Sequence, residues 1–175
     1  MSLEREFLAS LIAAFSDDKV AAAMFAAFEA QWNAVPRQNV YVKALAANTP
    51  IGTATTTILQ STFTAPAFLG NNGFVRYFAT MSVLSPALTA QEGVEVTLGS
   101  SNFASLGEYD AVFESTDSAL QKTCVIDWSP LAKIIAGNAD TVTLAAKGSV
   151  GTFNAAASGP AGGLGTFIGA AYLVG

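Results

Sequence analysis

The fold is decided by the stretch from Thr53 to Val83, TATTTILQSTFTAPAFLGNNGFVRYFATMSV. Its first run, Thr55 to Thr62, is rich in β-branched residues, and successive side chains of such a run point to opposite faces of a sheet. The second run, Phe74 to Met81, is aromatic and β-branched, which favours a half-buried strand. Between the runs, Asn72-Gly73 tolerates positive φ. The stretch therefore predicts two strands joined by a turn.

The same alternation of short strand and polar turn continues downstream. Short strands at this spacing, without helical patterns between them, indicate an antiparallel sandwich or barrel. A single helical turn is expected only within residues 128–135. The predicted strands lie near Val40–Ala46, Ala54–Phe63, Phe74–Val83, Val94–Leu98, Tyr109–Glu114, Leu120–Trp128, Thr141–Ala146, Thr152–Ala155 and Gly165–Val174.

The first 35 or so residues follow a different sequence pattern, with apolar residues at helical spacing. Ser2 and the Ser16-Asp17-Asp18 run are suited to cap two amphipathic helices, and Pro36 ends the pattern. We expect a helical anchor or oligomerisation segment at 1–38 and a β-sandwich at 39–175. The helices could pack on the chain's own sheet, or they could dock on a partner or on copies of themselves.

The composition constrains the partners. Of the 175 residues, 51% are hydrophobic and only 12% are charged, about half the charge of an ordinary soluble domain. We therefore expect part of the apolar excess to be buried against other chains. The net charge of −5 and the scattered basic residues argue against binding to nucleic acid, whose phosphates need clustered Lys and Arg.

The amino terminus predicts that the protein folds in the cytoplasm without processing. Glu4 and Glu6 stand where a signal peptide would carry positive charge. No stretch approaches the roughly 18 to 20 apolar residues of a membrane helix. We expect neither a signal peptide nor a membrane partner.

The residue inventory argues against an enzyme. There is no histidine, which removes the commonest general base and metal ligand, and no serine nucleophile is activated without one. The lone Cys124 is expected to be a buried strand residue. The glycine-rich loop from Gly159 to Gly165 precedes a strand instead of a helix, so it is not a phosphate-binding loop. We expect no cofactor and no catalytic residue.

The acidic residues leave two weaker alternatives open. Glu108, Asp110, Glu114 and Asp117 could bind calcium through oxygen ligands, although charged strand edges commonly serve to block aggregation. Paired acids could also serve a glycosidase. Asp127-Trp128 is the only suggestive pair for that chemistry, and a core tryptophan at a strand end is the favoured interpretation.

The last strand, Gly165 to Val174, is nearly continuously apolar. Such a run is buried on both faces, either in the centre of the sandwich or against another subunit. Gly169 would allow close approach of another chain. Together with the low charge, this favours a homo-oligomer, either a dimer or a trimer.

Three segments together resemble a jelly-roll module of tailed-phage virion proteins: Thr57 to Arg76 with its Leu69-Gly70-Asn71-Asn72-Gly73 turn, Val94 to Gly99, and Ala136 to Leu144 with Asn138-Ala139-Asp140-Thr141. The resemblance covers roughly residues 50–174. The resemblance implies that the chain is a capsid decoration (cement) protein or a part of a head fibre or tail fibre. Such proteins are commonly homotrimers, and they need no catalytic residue. The expected location is the virion.

This resemblance gives a functional hypothesis. The chain would be a capsid decoration protein that stabilises the shell, with the major capsid protein or another virion protein as partner. The alternative is a tail-fibre or head-fibre module that recognises host glycans, with Tyr109 or Trp128 near Asp110 or Asp127. A carbohydrate-active enzyme is a further rival. Residues expected at interfaces are Phe7, Leu11, Phe15, Phe25, Phe28 and Trp32 for attachment, and Phe167, Ile168 and Tyr172 for self-association.

Overall fold

A computed structural model describes residues 39–174, apart from residues 104, 118 and 128–130. These residues all fall within one compact unit of the chain, Gln38–Gly175. The helical segment predicted at 1–38 lies outside the described residues. Within the described part, no helix has the length and apolarity that a membrane-crossing segment needs.

The described residues are mainly β, as predicted. The only helical pieces among them are two short 3-10 turns, Ala67–Leu69 and Pro160–Gly162. The strands are β1 Asn39–Ala44, β2 Thr49–Ile51, β3 Thr56–Thr64, β4 Gly73–Leu84, β5 Glu92–Ser100, β6 Ser105–Phe113, β7 Gln121–Asp127, β8 Ala132–Ile134, β9 Ala139–Gly148, β10 Phe153–Ala156 and β11 Phe167–Val174.

The strands form two antiparallel sheets. In the larger sheet β11 lies between β1 and β4, and the opposite edge of β4 pairs with β7 and β8. The short strands β10 and β2 extend the same sheet. The smaller sheet has the order β3–β9–β5–β6.

The pairing scheme is that of a jelly roll. Early strands pair with late ones in nested order: β1 with β11, β3 with β9, β4 with β7, and β5 with β6. A long hairpin folded over on itself produces this order, with the two halves wrapped into facing sheets. The chain therefore has the jelly-roll-like sandwich that was predicted, and the strand order follows from the pairing.

The core lies between the two sheets and comes from alternating residues of the longest strands. β4 contributes Val75, Tyr77, Ala79 and Met81, which are all fully buried. The facing strands β5 and β9 contribute residues such as Val96, Leu98, Val142 and Leu144, also fully buried. Burial of apolar surface at roughly 25 cal/mol per Å² is the main term that stabilises such a core.

Two details of the first strand pair differ from the prediction. β3 carries a bulge between Thr57 and Leu59 against β9, so Ile58 and Leu59 are both buried although strict alternation would separate them. In the turn, the positive φ belongs to Gly70. Gly73 is needed for a different reason, because a Cβ there would lie 2.7 Å from Leu69 Cβ and 2.9 Å from the Ile134 carbonyl oxygen.

The region around residue 130 is also different. A helical turn was expected within 128–135, whereas Ala132–Ile134 forms β8 and pairs with the start of β4. Strand β2 was not predicted either. Both strands have three residues, too few to show a period, and they extend because β4 and β10 offer free backbone groups beside them.

Candidate functional site

The outer face of the larger sheet carries both apolar and polar residues, unlike the inner face. β4 presents Phe74, Arg76, Phe78, Thr80 and Ser82 outward, because the residues that alternate with them fill the core. The register then places further outward residues beside them: Phe167 opposite Thr80, Val42 opposite Gly169, and Val125 opposite Thr80 on the other edge. One strand thus organises an apolar surface on the outside of the sandwich.

The chain itself covers one half of this outer face. The segment 157–166, between β10 and β11, bonds to the polar outward residues: Thr80 Oγ1 donates to the Gly165 carbonyl at 2.7 Å, and the Ser82 N–H donates to Thr166 Oγ1 at 3.1 Å. Gln121 Nε2 donates to Ser82 Oγ at 2.8 Å. Ser82 is consequently buried although it faces outward, and Thr166 is buried with it.

The other half is open and apolar. Val40, Val42 and Val125 are 52%, 55% and 64% exposed, far more than core residues. The open apolar face is defined here as Val40, Val42, Phe74, Phe78, Val125 and Phe167. Phe74, Phe78 and Phe167 are half-buried, and Arg76 is exposed between Phe74 and Phe78 on the same strand. Exposed apolar side chains grouped on one face mark interaction sites more often than isolated exposed residues do.

The aromatic residues of the open apolar face are held in place by their neighbours. The rings of Phe78 and Phe167 meet edge to face with centroids 6.1 Å apart. Gly169 lies beneath the Phe78 ring, and a Cβ there would collide with it. The close approach that Gly169 permits is therefore to a residue of the same chain, whereas the sequence suggested another chain.

The structure separates the three residues that were expected to mediate self-association. Phe167 lies on the open apolar face and is half-buried. Ile168 and Tyr172 point into the core and are 0% and 1% exposed. This correction follows from the two-residue period of β11, which places Phe167 and its neighbour on opposite faces. The predicted attachment residues Phe7, Leu11, Phe15, Phe25, Phe28 and Trp32 lie outside the described residues.

Sequence reasoning missed most of the open apolar face. Val40, Val42, Phe74, Phe78 and Val125 were treated as ordinary strand residues. A partial signal was present in β4, where Phe74 and Phe78 belong to the set of residues that alternates with the core set.

The acidic residues of β5 and β6 do not assemble the predicted glycan groove. Tyr109 and Asp110 are both exposed, but as successive residues of β6 they point to opposite faces. Asp110 instead lies with Glu95 and Lys147 along a shallow cleft of about 380 Å³ on the outer face of the smaller sheet. Trp128, the other aromatic candidate, is outside the described residues.

Two of the other acids that were considered for calcium, Glu114 and Asp117, have protein partners. Asp117 forms an ion pair with Lys122 at 2.7 Å and accepts a hydrogen bond from the Glu114 N–H at 2.8 Å. The Lys122 ammonium group lowers the pKa of the Asp117 carboxyl group below its usual value, and the backbone bond acts in the same direction. Gln91 Nε2 donates to Glu114 Oε1 at 2.6 Å. These contacts fix the β6–β7 turn.

A buried polar cluster lies at one end of the sandwich. The Asp140 carboxylate is fully buried, and it accepts hydrogen bonds from Ser100 Oγ, from Ser101 Oγ at 2.8 Å and from the Asn102 N–H at 3.1 Å. Asn102 Nδ2 also donates to the Ala139 carbonyl at 2.8 Å. These hydrogen bonds join the β5–β6 connection to the start of β9.

Two buried tyrosines lie close to this carboxylate. Within the described part of the chain, the hydroxyls of Tyr77 and Tyr172 reach no hydrogen-bond partner of acceptable geometry. Burial raises the pKa of Tyr77 well above its usual value, and the nearby Asp140 raises it further. Burial likewise raises the pKa of Tyr172 to about 12, with smaller contributions from Tyr41 and Asp140. Both phenols therefore stay neutral at ordinary pH.

Cys124 lies in the core, as expected. It is 4% exposed on β7, and burial raises the pKa of its thiol to about 11. Its Sγ lies 3.4 Å from the Met81 carbonyl oxygen. A buried thiol with a raised pKa is poorly reactive at neutral pH.

Comparison with known proteins gave matches among solved structures. No family model and no curated protein sequence matches the chain. Solved structures that match it include latent PorU from Porphyromonas gingivalis (15% identity, TM-score 0.43, 77% of this chain) and infectious bursal disease virus Gx strain (9% identity, TM-score 0.39, 79% of this chain).

A third similar structure is the CBM35 from Cellvibrio japonicus Abf62, with 12% identity, a TM-score of 0.33 and coverage of 78% of this chain and 94% of that one. A native virion of Kashmir bee virus is also similar. The chain spans only 12% of the matched PorU chain and 38% of the bursal disease virus chain.

Proposed function

We propose that the chain is a non-enzymatic structural protein of a virion, and specifically a capsid decoration protein of the tailed-phage type. The observation that carries the proposal is the open apolar face, since a sandwich that covers one half of its outer face and leaves the apolar half exposed is suited to permanent contact with other chains. The resemblance of three segments to phage jelly-roll modules supplies the virion context.

The partners in this proposal are further copies of the chain and the major capsid protein or another virion protein. A stable interface buries roughly 800 Å² on each side, and burial of an apolar face at roughly 25 cal/mol per Å² would supply the attachment energy. Assembly would proceed without a cofactor, and the stabilising effect on the shell would come from contacts that bridge neighbouring capsid subunits.

The six residues that the sequence analysis named for attachment, from Phe7 to Trp32, are proposed to bind the protein to the shell. Removal of residues 1–36 is expected to abolish binding to the particle while the circular-dichroism spectrum of the sandwich is retained. If the shortened protein still binds particles as the full chain does, the attachment role of this segment is refuted.

The first experiment is the copy number of the protein in purified virions, measured by quantitative mass spectrometry. A decoration protein should approach the abundance of the main shell protein, with hundreds of copies per particle. A handful of copies would move the protein to the tail or portal vertex. Absence from the particle would refute the virion role.

Matched variants test the role of the open apolar face. Val125→Lys places a charge on this face, and Thr97→Lys places the same charge on the outer face of the smaller sheet. The first variant is expected to reduce occupancy on particles at least tenfold, and the second is expected to leave it unchanged. Equal occupancy of the two variants would contradict the proposal.

The alternative, a fibre module that recognises host glycans, has weaker support. Its expected pair of Tyr109 and Asp110 is divided between two faces, and an aromatic platform beside acids is what sugar binding would need. A glycan array would revive this alternative if it gave specific binding that Asp110→Ala abolishes.

A further inference from the structure

The edges of the two sheets are protected unequally. At one side of the sandwich, β6 forms the edge of the smaller sheet, packs against β7, and carries Glu108 and Asp110. Its neighbour β5 adds Glu92 and Glu95. Charges on an edge strand prevent it from pairing with strands of other chains, so this acidic side is protected.

The opposite side has less of this protection. It is formed by β1 and β3, which pack on one another. β3, with the sequence TTILQSTFT, has no charged residue, and β1, with the sequence NVYVKA, has only Lys43. The exposed residues Val40, Tyr41 and Val42 lie along the edge at β1. β3 carries the bulge at Thr57–Leu59, whereas β1 has neither a proline nor a bulge and only one charge, Lys43, so the edge at β1 can act as a template for strand pairing.

The backbone of β1 also has unused hydrogen-bonding capacity. Among the described residues, β1 pairs only with β11. In an antiparallel strand, alternate residues direct their N–H and C=O groups to opposite edges. One row of these groups therefore faces away from the sheet, and another extended strand can satisfy the whole row at once.

We propose that two copies of the chain pair through β1, antiparallel and about a two-fold axis, so that the two larger sheets become one continuous sheet. An edge strand is self-complementary in this arrangement, since each copy supplies the same donors and acceptors to the other. The charge distribution favours a second copy, because the acidic side of each sandwich would lie at the far end of the pair.

The alternation of side chains restricts the register. Opposite residues of an antiparallel pair point to the same face, so Val40 and Val42 must meet outward residues of the other copy. Two registers satisfy this condition within the strand. In one, Tyr41 faces Tyr41 and Val40 faces Val42; in the other, Val42 faces Val42 and Val40 faces Ala44. Either register joins the two open apolar faces into one surface.

This inference goes beyond the proposed function, because it concerns the isolated protein and does not depend on a virion. It also differs from the trimer that the phage resemblance implies, since a three-fold ring contains no two-fold strand pair. Native mass spectrometry of the full chain at micromolar concentration is expected to give twice the 18.0 kDa mass of one chain. A monomer or a trimer would refute the pairing.

Two matched variants locate the contact. Val42→Lys puts a charge on the β1 edge and is expected to convert the dimer to monomer. Val125→Lys makes the same change on the same sheet face at β7, and it is expected to remain dimeric. A dimer that survives Val42→Lys would refute the proposal, and so would loss of the dimer in the Val125→Lys protein alone.

Cysteine cross-linking provides a test that does not depend on destabilising the edge. Tyr41→Cys would form a symmetric disulfide in the first register, and Val42→Cys would do so in the second. The native Cys124 is buried and should not interfere. One of the two variants is expected to give covalent dimer under mild oxidation, and Val125→Cys is expected to give none. Failure of both edge variants to cross-link would refute the strand pair.

Discussion

At the scale of single residues, the core is sensitive to its few buried polar groups. Asp140, Tyr77 and Tyr172 lie in the same polar region of the sandwich, yet their hydrogen bonding differs. Asp140 accepts three hydrogen bonds, whereas the Tyr172 hydroxyl has no partner among the described residues. A buried polar group stabilises when it is bonded and costs free energy when it is not, so substitutions at these positions should have opposite effects.

Replacement of Asp140 by Ala should lower the free energy of unfolding by about 2–4 kcal/mol, since it leaves the hydroxyls of Ser100 and Ser101 without their acceptor and removes one of the two acceptors of the Asn102 N–H. Urea denaturation measures this change. Asp110→Ala removes a carboxylate from an exposed position of β6 and should change the same quantity by less than about 0.5 kcal/mol. Similar losses in the two variants would contradict the role assigned to the cluster.

Replacement of Tyr172 by Phe should have the opposite sign. It removes an unbonded buried hydroxyl and keeps the ring, so the free energy of unfolding is expected to rise by about 1 kcal/mol. Tyr109→Phe, on an exposed tyrosine, should leave it unchanged. A destabilised Tyr172→Phe protein would show that the hydroxyl has a partner, such as an internal water molecule.

The raised pKa of Tyr172 also predicts how stability depends on pH. Between the usual tyrosine value of 10.0 and the folded-state value of about 12, the unfolded state loses the phenolic proton and the folded state keeps it. Stability must therefore fall as the pH rises through this range. The fall should be shallower in Tyr172→Phe than in the parent, as measured by urea denaturation at several pH values above 10. Identical slopes would contradict the shift.

At the scale of elements, the turn before β4 depends on close contacts. Gly73 begins β4 where the strand passes Leu69 and pairs with Ile134. The sequence identified this glycine as a turn residue, but its function is to leave space. Asn72-Gly73 has the composition of a turn, and composition cannot distinguish a need for positive φ from a need for close approach, which depends on β8 more than 50 residues away.

Replacement of Gly73 by Ala is expected to lower the free energy of unfolding by about 1–3 kcal/mol, because the added methyl group meets the Leu69 side chain and the Ile134 carbonyl oxygen. Gly99→Ala is the matched control, since a Cβ at this position of β5 has no neighbour within 4 Å. Thermal unfolding of the two proteins tests the difference. If both variants melt together, the close-packing explanation is wrong.

At the scale of the whole molecule, the stability of the jelly roll depends on β11, which is a central strand of the larger sheet. β11 lies between β1 and β4 in the larger sheet, so the sandwich cannot close until the last strand is present. Deletion of residues 167–175 should therefore abolish the cooperative unfolding transition, whereas deletion of residue 175 alone should preserve it. A cooperative transition in the shorter protein would show that β11 is dispensable.

The sequence by itself determined the fold class and most strand positions. Alternating β-branched and aromatic residues, interrupted by turn residues, are local signals, and β3, β4 and β11 were identified from them. The burial of Cys124 and the apolar character of β11 could also be predicted from the sequence, because buried positions are mostly occupied by apolar residue types.

Only the tertiary structure decided the strand order, the bulge at Ile58–Leu59 and the division of the outer face into covered and open halves. Each depends on pairing between residues far apart in the chain, as when Thr80 and Ser82 are covered by segment 157–166. The positions of Phe167 and Ile168 also depend on the tertiary structure. Both are large apolar strand residues, and only the register of β11 against β4 assigns one to the open apolar face and the other to the core.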